Sequence, residues 1–342
     1  MNKLTKLGAS ALCGSLATIV SANAGTLSVT GGVDMSWSSV EKGVTGNPIG
    51  MGSNLTFSGS GELDNGTTFA LSVAHTNANV YSNTNVTITM PTLGDIRIDQ
   101  GTTGTGIDRM DDVTPTAWEE AWGTALGTGI DLVEGVSSAT NIEWTPGMLP
   151  DGITARLAWT PRYGTKNTAD KGMGGDNGGG HGAGHDITVQ VGGEAIGMDG
   201  LTLYAGTSTI DAVNGSTQGG DLTEHTAAVK YAVGGFTVGY QYSQENKKGV
   251  GATAVSNYEN DMWGIAFNVN DDLTISYNSA ESSQDKIGAG TDTTLEVDSL
   301  QLAYTMGGAS FRIAEASVDN KTYASGAANS MDGTTISLSL AF

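Results

Sequence analysis

The sequence predicts an all-β protein: a transmembrane antiparallel β-barrel of about sixteen strands, with short turns at one end and long loops at the other. Three observations carry that prediction. Apolar and polar residues alternate with period two in run after run, as strands with one apolar face require. The connectors alternate between tight turns and long polar stretches. Past the N-terminal segment, no run reaches the ~20 apolar residues that a membrane helix needs.

The composition of the 342 residues narrows the class further. Against 36 Asp and Glu stand 15 Lys and Arg, a formal charge of −21. Such a chain repels phosphates and is no nucleic-acid binder. A single Cys excludes a disulfide framework. The mean hydropathy of −0.13 suits a barrel whose polar lumen offsets its apolar belt.

The chain opens with an export signal. Lys3 and Lys6 precede an apolar stretch from Leu7 to Val20, which ends in Ala22-Asn23-Ala24, the small-residue pattern of a cleavage site. Residues 1–24 are thus a cleaved signal peptide and 25–342 the barrel domain. Loss of Lys3 and Lys6 takes the charge from −21 to −23.

The strands follow in order. In the first, Leu27, Val29, Val33, Met35 and Trp37 alternate with Ser28, Thr30, Asp34, Ser36 and Ser38. The second has Leu55, Phe57 and Leu63 against Asn54, Thr56, Ser58, Ser60 and Glu62, and turns at Asp64-Asn65-Gly66, where Asn-Gly tolerates positive φ. The return strand carries Phe69, Leu71 and Val73. Further runs centre on Ile88, Ile96, Ile142, Leu157, Val189, Leu203, Val229 and Val238, then on Ile265, Ile275, Leu302, Phe311 and Leu338.

Short turns are expected at 64–66, 91–94, 146–152, 197–200, 234–235, 270–272 and 307–308. Long loops are expected at 42–50, 101–138, 162–185, 208–221, 244–257 and 282–293. All six prolines fall in these connectors or beside them, as residues without a ladder donor should. Sixteen strands of ~10 residues leave ~20 residues for each pair of turn and loop, the asymmetry of a membrane barrel. Trp37, Trp144, Trp159, Tyr231, Tyr242, Trp263, Tyr277 and Tyr304 sit on the apolar register near strand ends, where interfacial girdles belong. Ile336, Leu338, Leu340 and Phe342 close the chain on an alternating strand, and closure against the first strand, near Leu27 to Trp37, would remove the sheet edges.

The ensemble resembles the Gram-negative general diffusion porins, the trimeric sixteen-stranded type. The matching elements are the signal peptide, Glu62-Leu63-Asp64-Asn65-Gly66 at the first short turn, Leu93-Gly94-Asp95-Ile96-Arg97-Ile98 opening the fifth strand, Asn141-Ile142-Glu143-Trp144 as the sixth, and the terminal Phe342. The resemblance implies a homotrimer in the bacterial outer membrane, short turns on the periplasmic side, long extracellular loops, and a third loop folded into the lumen. It implies lipid and the barrel assembly machinery as partners, with Phe342 as the assembly signal. Two positions depart from the family pattern. Asp99-Gln100 stands where many relatives have a Gly-Arg pair, and Glu143 where many have a base of the pore wall.

The third loop, Gly101 to Ser138, is the longest. Thr116 and Glu119 have capping-box spacing and Pro115 suits a first turn, which predicts a short helix from Pro115 to Trp122 ended by Gly123. As constriction residues we single out Asp108, Arg109, Asp111, Asp112, Glu119 and Glu120. As pore wall we single out Arg97, Asp99, Glu143, Arg156 and Arg312, within a lumen register that also holds Asp34, Asn54, Gln190, Lys230, Gln241 and Gln301.

Other chemistry is thinner. His181 and His185 with Asp186 have the residue types of a metal site but follow a Gly-rich run that reads as a surface loop. Asp108, Asp111 and Asp112 offer oxygen ligands for calcium without the spacing of a calcium loop. Trp118 and Trp122 would stack on sugars or pack the loop on the wall. His75 and His225 have no partner pattern, and no nucleophile stands beside an oriented base, so no enzyme is expected. No cofactor is expected. The function that follows is passive diffusion of small hydrophilic solutes and ions, cation-preferring, with the bases facing the loop acids across the opening. The alternatives are a non-conducting surface barrel acting as an adhesin and a sugar-selective channel.

Overall fold

The computed structural model describes residues 26–42, 46–77, 81–101, 104–124, 126–164, 181–213, 219–251, 253–288 and 290–341. The signal segment and Phe342 lie outside the described residues. Eight strands build the first half: β1 (Leu27–Val40), β2 (Ile49–Glu62), β3 (Thr68–Thr76), β4 (Tyr81–Met90), β5 (Gly94–Asp99), β6 (Asn141–Pro146), β7 (Ile153–Thr160) and β8 (His181–Gly192). Eight more complete it: β9 (Leu201–Ala212), β10 (Leu222–Val233), β11 (Phe236–Asn246), β12 (Val255–Asn268), β13 (Leu273–Lys286), β14 (Thr293–Met306), β15 (Ala309–Asp319) and β16 (Met331–Ala341).

Every strand pairs antiparallel with its sequence neighbours, and β16 closes the barrel against β1. The closing register runs from Gly32 opposite Ala341 to Val40 opposite Gly333. All the runs anticipated from alternation are strands, and the barrel has no open edge.

The burial pattern is inverted relative to a water-soluble protein. Large apolar residues face outward, with Trp37 43% and Leu300 53% exposed, while Gln241 and Asn260 inside are fully buried. Such a continuous apolar exterior is untenable in water and is the lipid face of a membrane barrel. The eight girdle aromatics all lie on that face, since each shares its strand's outward parity. Trp263 and Tyr277 meet across β12 and β13 with ring centroids 5.4 Å apart.

The connectors depart from the sequence reading in places. Strands run further into the long connectors than alternation suggested: β9 extends to Ala212, β11 to Asn246 and β13 to Lys286. The polar residues there keep the ladder and lose only the apolar face. Pro146 is the last residue of β6, opposite Gly94, where the ladder already ends. A one-turn helix α1 (Gly193–Ile196) precedes the turn expected at 197–200. The segment from His181, read as surface loop, is instead the start of β8 and pairs with β9.

Candidate functional site

Between β5 and β6 the third loop turns into the lumen and lies along the inner wall, held by wall side chains rather than by secondary structure. Its outgoing limb starts where buried Asp99 accepts the Gly101 N–H at 2.9 Å. A 3-10 turn at Gly106–Met110 then packs against β7, β8 and β9. The Gly106 N–H donates to Glu143 at 2.7 Å and the Ile107 N–H to Asp186 at 3.0 Å. Arg109 adds a forked contact to Glu143, with Nη2 to Oε1 at 2.6 Å and Nε to Oε2 at 3.0 Å.

Further along, Gln241 on β11 accepts the Val113 N–H at 2.8 Å and donates to the Met110 and Asp111 carbonyls at 2.6 and 3.0 Å. Ser276 on β13 accepts the Ala117 N–H at 2.8 Å, and Gln301 on β14 accepts those of Trp118 and Glu119, both at 3.1 Å. These bonds explain why the expected helix from Pro115 to Trp122 is absent. In a helix begun at Pro115 the Trp118 and Glu119 N–H groups would return to the carbonyls of residues 114 and 115; here both go to Gln301, and the helical content there is one 3-10 turn at Ala121–Gly123.

The return limb is tied equally well. Asn260 on β12 donates to the Asp131 carbonyl at 3.0 Å, and Glu224 on β10 accepts the Glu134 and Gly135 N–H groups at 2.9 and 2.7 Å. Asp186 takes the Val136 N–H at 3.1 Å, so one carboxylate clasps both limbs. Lys247, after β11, reaches Asp131 at 3.3 Å, and the last long loop contributes the Tyr323 hydroxyl to the Asp131 N–H at 2.9 Å. Hydrogen bonds to charged groups contribute about 1.5–3 kcal/mol each, so the loop is a fixed ledge.

The ledge carries the acids. Burial, then the nearby Asp108 carboxylate, pushes Asp111 up to about 7. Burial, then Asp111 and Glu120, pushes Asp112 up to about 9. Burial also raises Asp108, Glu119 and Glu134. Asp111 and Asp112 thus form, beside Glu120, a carboxyl cluster in which the two aspartates do not both ionise at neutral pH.

The expected wall residues all face inward, but their surroundings differ from a bare wall. Asp99 and Glu143 are buried beneath the loop. Glu143 therefore offers no free charge to the channel; it is spent on Arg109. Arg97 lies 2.6 Å from Asp99, and Arg312 lies 3.5 Å from Asp34 and 5.9 Å from the Trp118 ring. Arg156 sits on β7 two residues from the position opposite Glu143. Trp118 accordingly packs toward the wall beside Arg312.

Asp186, read from sequence only as a carboxylate beside His181 and His185, and Glu224 were not among the pore residues singled out, although both anchor the loop. Asp186 stands on the polar register of β8, alternating with His185 and Ile187, and its Gly-rich flank hid that register. His185 points outward, and the His181 ring meets Tyr163 edge-on at 5.2 Å. Among the described residues, no group of three or more His, Cys, Asp or Glu side chains is placed to hold a metal.

Comparisons with known proteins agree with this architecture. No curated protein matches the chain. Among solved structures, Salmonella typhi OmpF in complex with daunomycin shares 13% identity and a TM-score of 0.68, over 93% of this chain and 98% of that one. The trimer form of Vibrio cholerae OmpT, an outer-membrane protein, shares 12% identity and a TM-score of 0.64, over 93% and 100%. An anion-selective porin from Comamonas acidovorans shares 17% identity and a TM-score of 0.59, over 93% and 100%. At these identities the likeness is one of fold. The family of Gram-negative porins matches residues 8–337. With nearly the whole chain covered and a closed sixteen-stranded barrel narrowed by its third loop, the protein belongs to the Gram-negative porin family of the outer membrane.

Proposed function

We propose that the protein is a water-filled channel for passive diffusion of small hydrophilic solutes and ions, that it works as a homotrimer, and that it prefers cations. The observation supporting the charge preference is the third loop, pinned along the inner wall with the half-buried Asp111, Asp112, Glu119 and Glu120 on it, while Arg97, Arg109 and Arg312 each lie against a carboxylate. Carboxylates at a narrow opening favour cations. The trimer reading draws on the trimeric Vibrio cholerae relative in fold. Membrane lipid surrounds the barrel in this reading, and the barrel assembly machinery inserts it, with Phe342 as the signal. A channel of this kind has no catalytic step.

Purified protein in planar bilayers tests the proposal. Stepwise conductance in groups of three, with a reversal potential of cationic sign in a salt gradient, is the expected result. A barrel that inserts and never conducts would instead support the non-conducting surface barrel.

A further inference from the structure

The loop contacts leave one part of the inner wall open. Among the described residues, the strand and loop side chains bonded to the loop's 105–138 backbone lie on β6, β8 and β10 to β14, and on the last long loop. The uncovered arc of the barrel is β15, β16 and β1 to β5; its border strands β15 and β5 carry Arg312 and Arg97, and between them lie the five strands β16 and β1 to β4. Those five strands contain no Lys or Arg at all. Their inward positions are set by register: Thr56 faces Ala74 and Thr30, and Ser72 faces Ser58 and Asn85, all on the side opposite Phe57 and Leu71. The wall across from the acidic ledge is therefore hydroxyl, amide, Gly and Ala. Its one charge at mid-strand is Asp34, an acid held by Arg312. Lys230 lies past the ledge, in a recess of about 530 Å³ beside Thr114 to Ala117, and does not oppose it.

We infer that this base-free wall is a specificity determinant, and that the opening selects by the sign of the solute's charge, favouring hydrophilic solutes that carry an amino group over neutral and carboxylate-bearing ones of the same size. The inference rests on the channel reading above and sharpens its substrate class. The physics is direct. With acids on the ledge, and with the only bases of the opposite arc, Arg97 and Arg312, each already against a carboxylate, the opening favours a cation over an anion. Hydroxyl and amide oxygens accept from an ammonium group and replace part of its hydration. A carboxylate solute is repelled by the ledge and finds no unpaired base on the five strands opposite, where Arg312 is already held by Asp34. The opposed acid and base expected from sequence would orient water across the opening; the five strands here supply no base for it.

Liposomes loaded with the purified barrel, assembled as judged by heat-dependent gel mobility, test this with three solutes on one ring framework: glucosamine, glucose and glucuronate. At low salt the expected influx order is glucosamine, glucose, glucuronate, with a several-fold spread. Near 1 M salt, where the Debye length is about 3 Å, the spread should collapse. The double variant Thr56→Arg with Ser72→Arg should bring the glucosamine and glucuronate rates together, whereas Thr56→Gln with Ser72→Gln, of similar bulk and no charge, should keep the order. Equal rates in the unsubstituted protein at low salt, or an order unmoved by the two arginines, would overturn the inference while leaving the channel intact. Absence of flux for all three solutes would overturn the channel reading itself.

Discussion

Arg109 and Glu143 form a forked ion pair between the third loop and β6, closed at 2.6 Å with the Glu143 side chain 3% exposed. Glu143 is thereby converted from a pore-lining charge into an anchor. Removing the arginine leaves a carboxylate desolvated and short of two donors, and the remaining Gly106 N–H does not compensate. Arg109→Ala should weaken loop anchoring by about 1.5–3 kcal/mol, read as larger and noisier single-channel currents with the barrel still heat-modifiable on gels. Glu143→Gln, which keeps the Gly106 acceptor, should have the smaller effect. Quiet, unchanged currents in both variants would show the pair to be ornamental.

The clasp at Asp186 makes a sharper prediction, because it depends on missing side chains. Gly106 and Gly135 both have positive φ, 61° and 56°, and a Cβ on them would lie 2.0 and 2.2 Å from the Asp186 carboxylate. L-residues with side chains disfavour that backbone region and would collide as well. Gly135→Ala should lift the return limb from the wall and raise the conductance. Asp186→Ala should give a similar phenotype, since it deletes the acceptor of both limbs. Combining the two should add little to either alone, as expected for members of one contact; full additivity in the current amplitudes would separate them.

Neutralising the ledge tests where selectivity resides. At ~0.15 M salt the Debye length is about 8 Å, so charges on outer loops scarcely reach a permeating ion. Asp111, Asp112, Glu119 and Glu120 replaced together by Asn or Gln should shift the reversal potential toward anions. Asp170→Asn with Asp176→Asn, in the connector between β7 and β8, should barely move it. Equal shifts from the two sets would assign the preference to general surface charge.

The pH dependence follows from the same cluster. Asp111 is raised to about 7 and Asp112 to about 9, burial being the largest cause for each. A raised carboxyl stays neutral below its pKa and ionises as the pH climbs. Cation preference should therefore strengthen from about pH 6 to pH 10. For stability the sign is opposite. Because folding raises these values above 3.8, the penalty is absent below that value, grows as pH rises through it, and levels off above the folded-state values. Loop order should consequently be best in mild acid, and reversal potentials measured from pH 5 to 10 should track the loss of the shared protons. A flat profile would contradict the cluster.

Assembly offers a test from the chain end. Since β16 pairs with both β15 and β1, its last residues complete the closure. Deletion of Phe342 should lower the yield of heat-modifiable barrel well below that of His181→Ala. Equal yields would argue against a role for the terminal residue.

The sequence by itself determined the barrel. Period-two alternation dictates which side chains share a face, and the alternation of tight and long connectors dictates the meander, so every strand from β1 to β16 was legible. Both are local properties. The inward parity of Arg97, Asp99, Glu143, Arg156 and Arg312 followed from the same rule. Who meets whom across the lumen did not. The helix read from Thr116, Glu119 and Pro115 failed because Gln301, more than 150 residues later, takes the Trp118 and Glu119 N–H groups that would bond back within it. Asp186 was invisible as a clasp because its meaning lies in the backbone of Ile107 and Val136. Glu143 looked like a pore charge until Arg109 was found against it. Only closure of the barrel brings such residues together, since hydrogen bonds and charge pairing act over a few ångströms, and those distances exist only once the strands have wrapped around the loop.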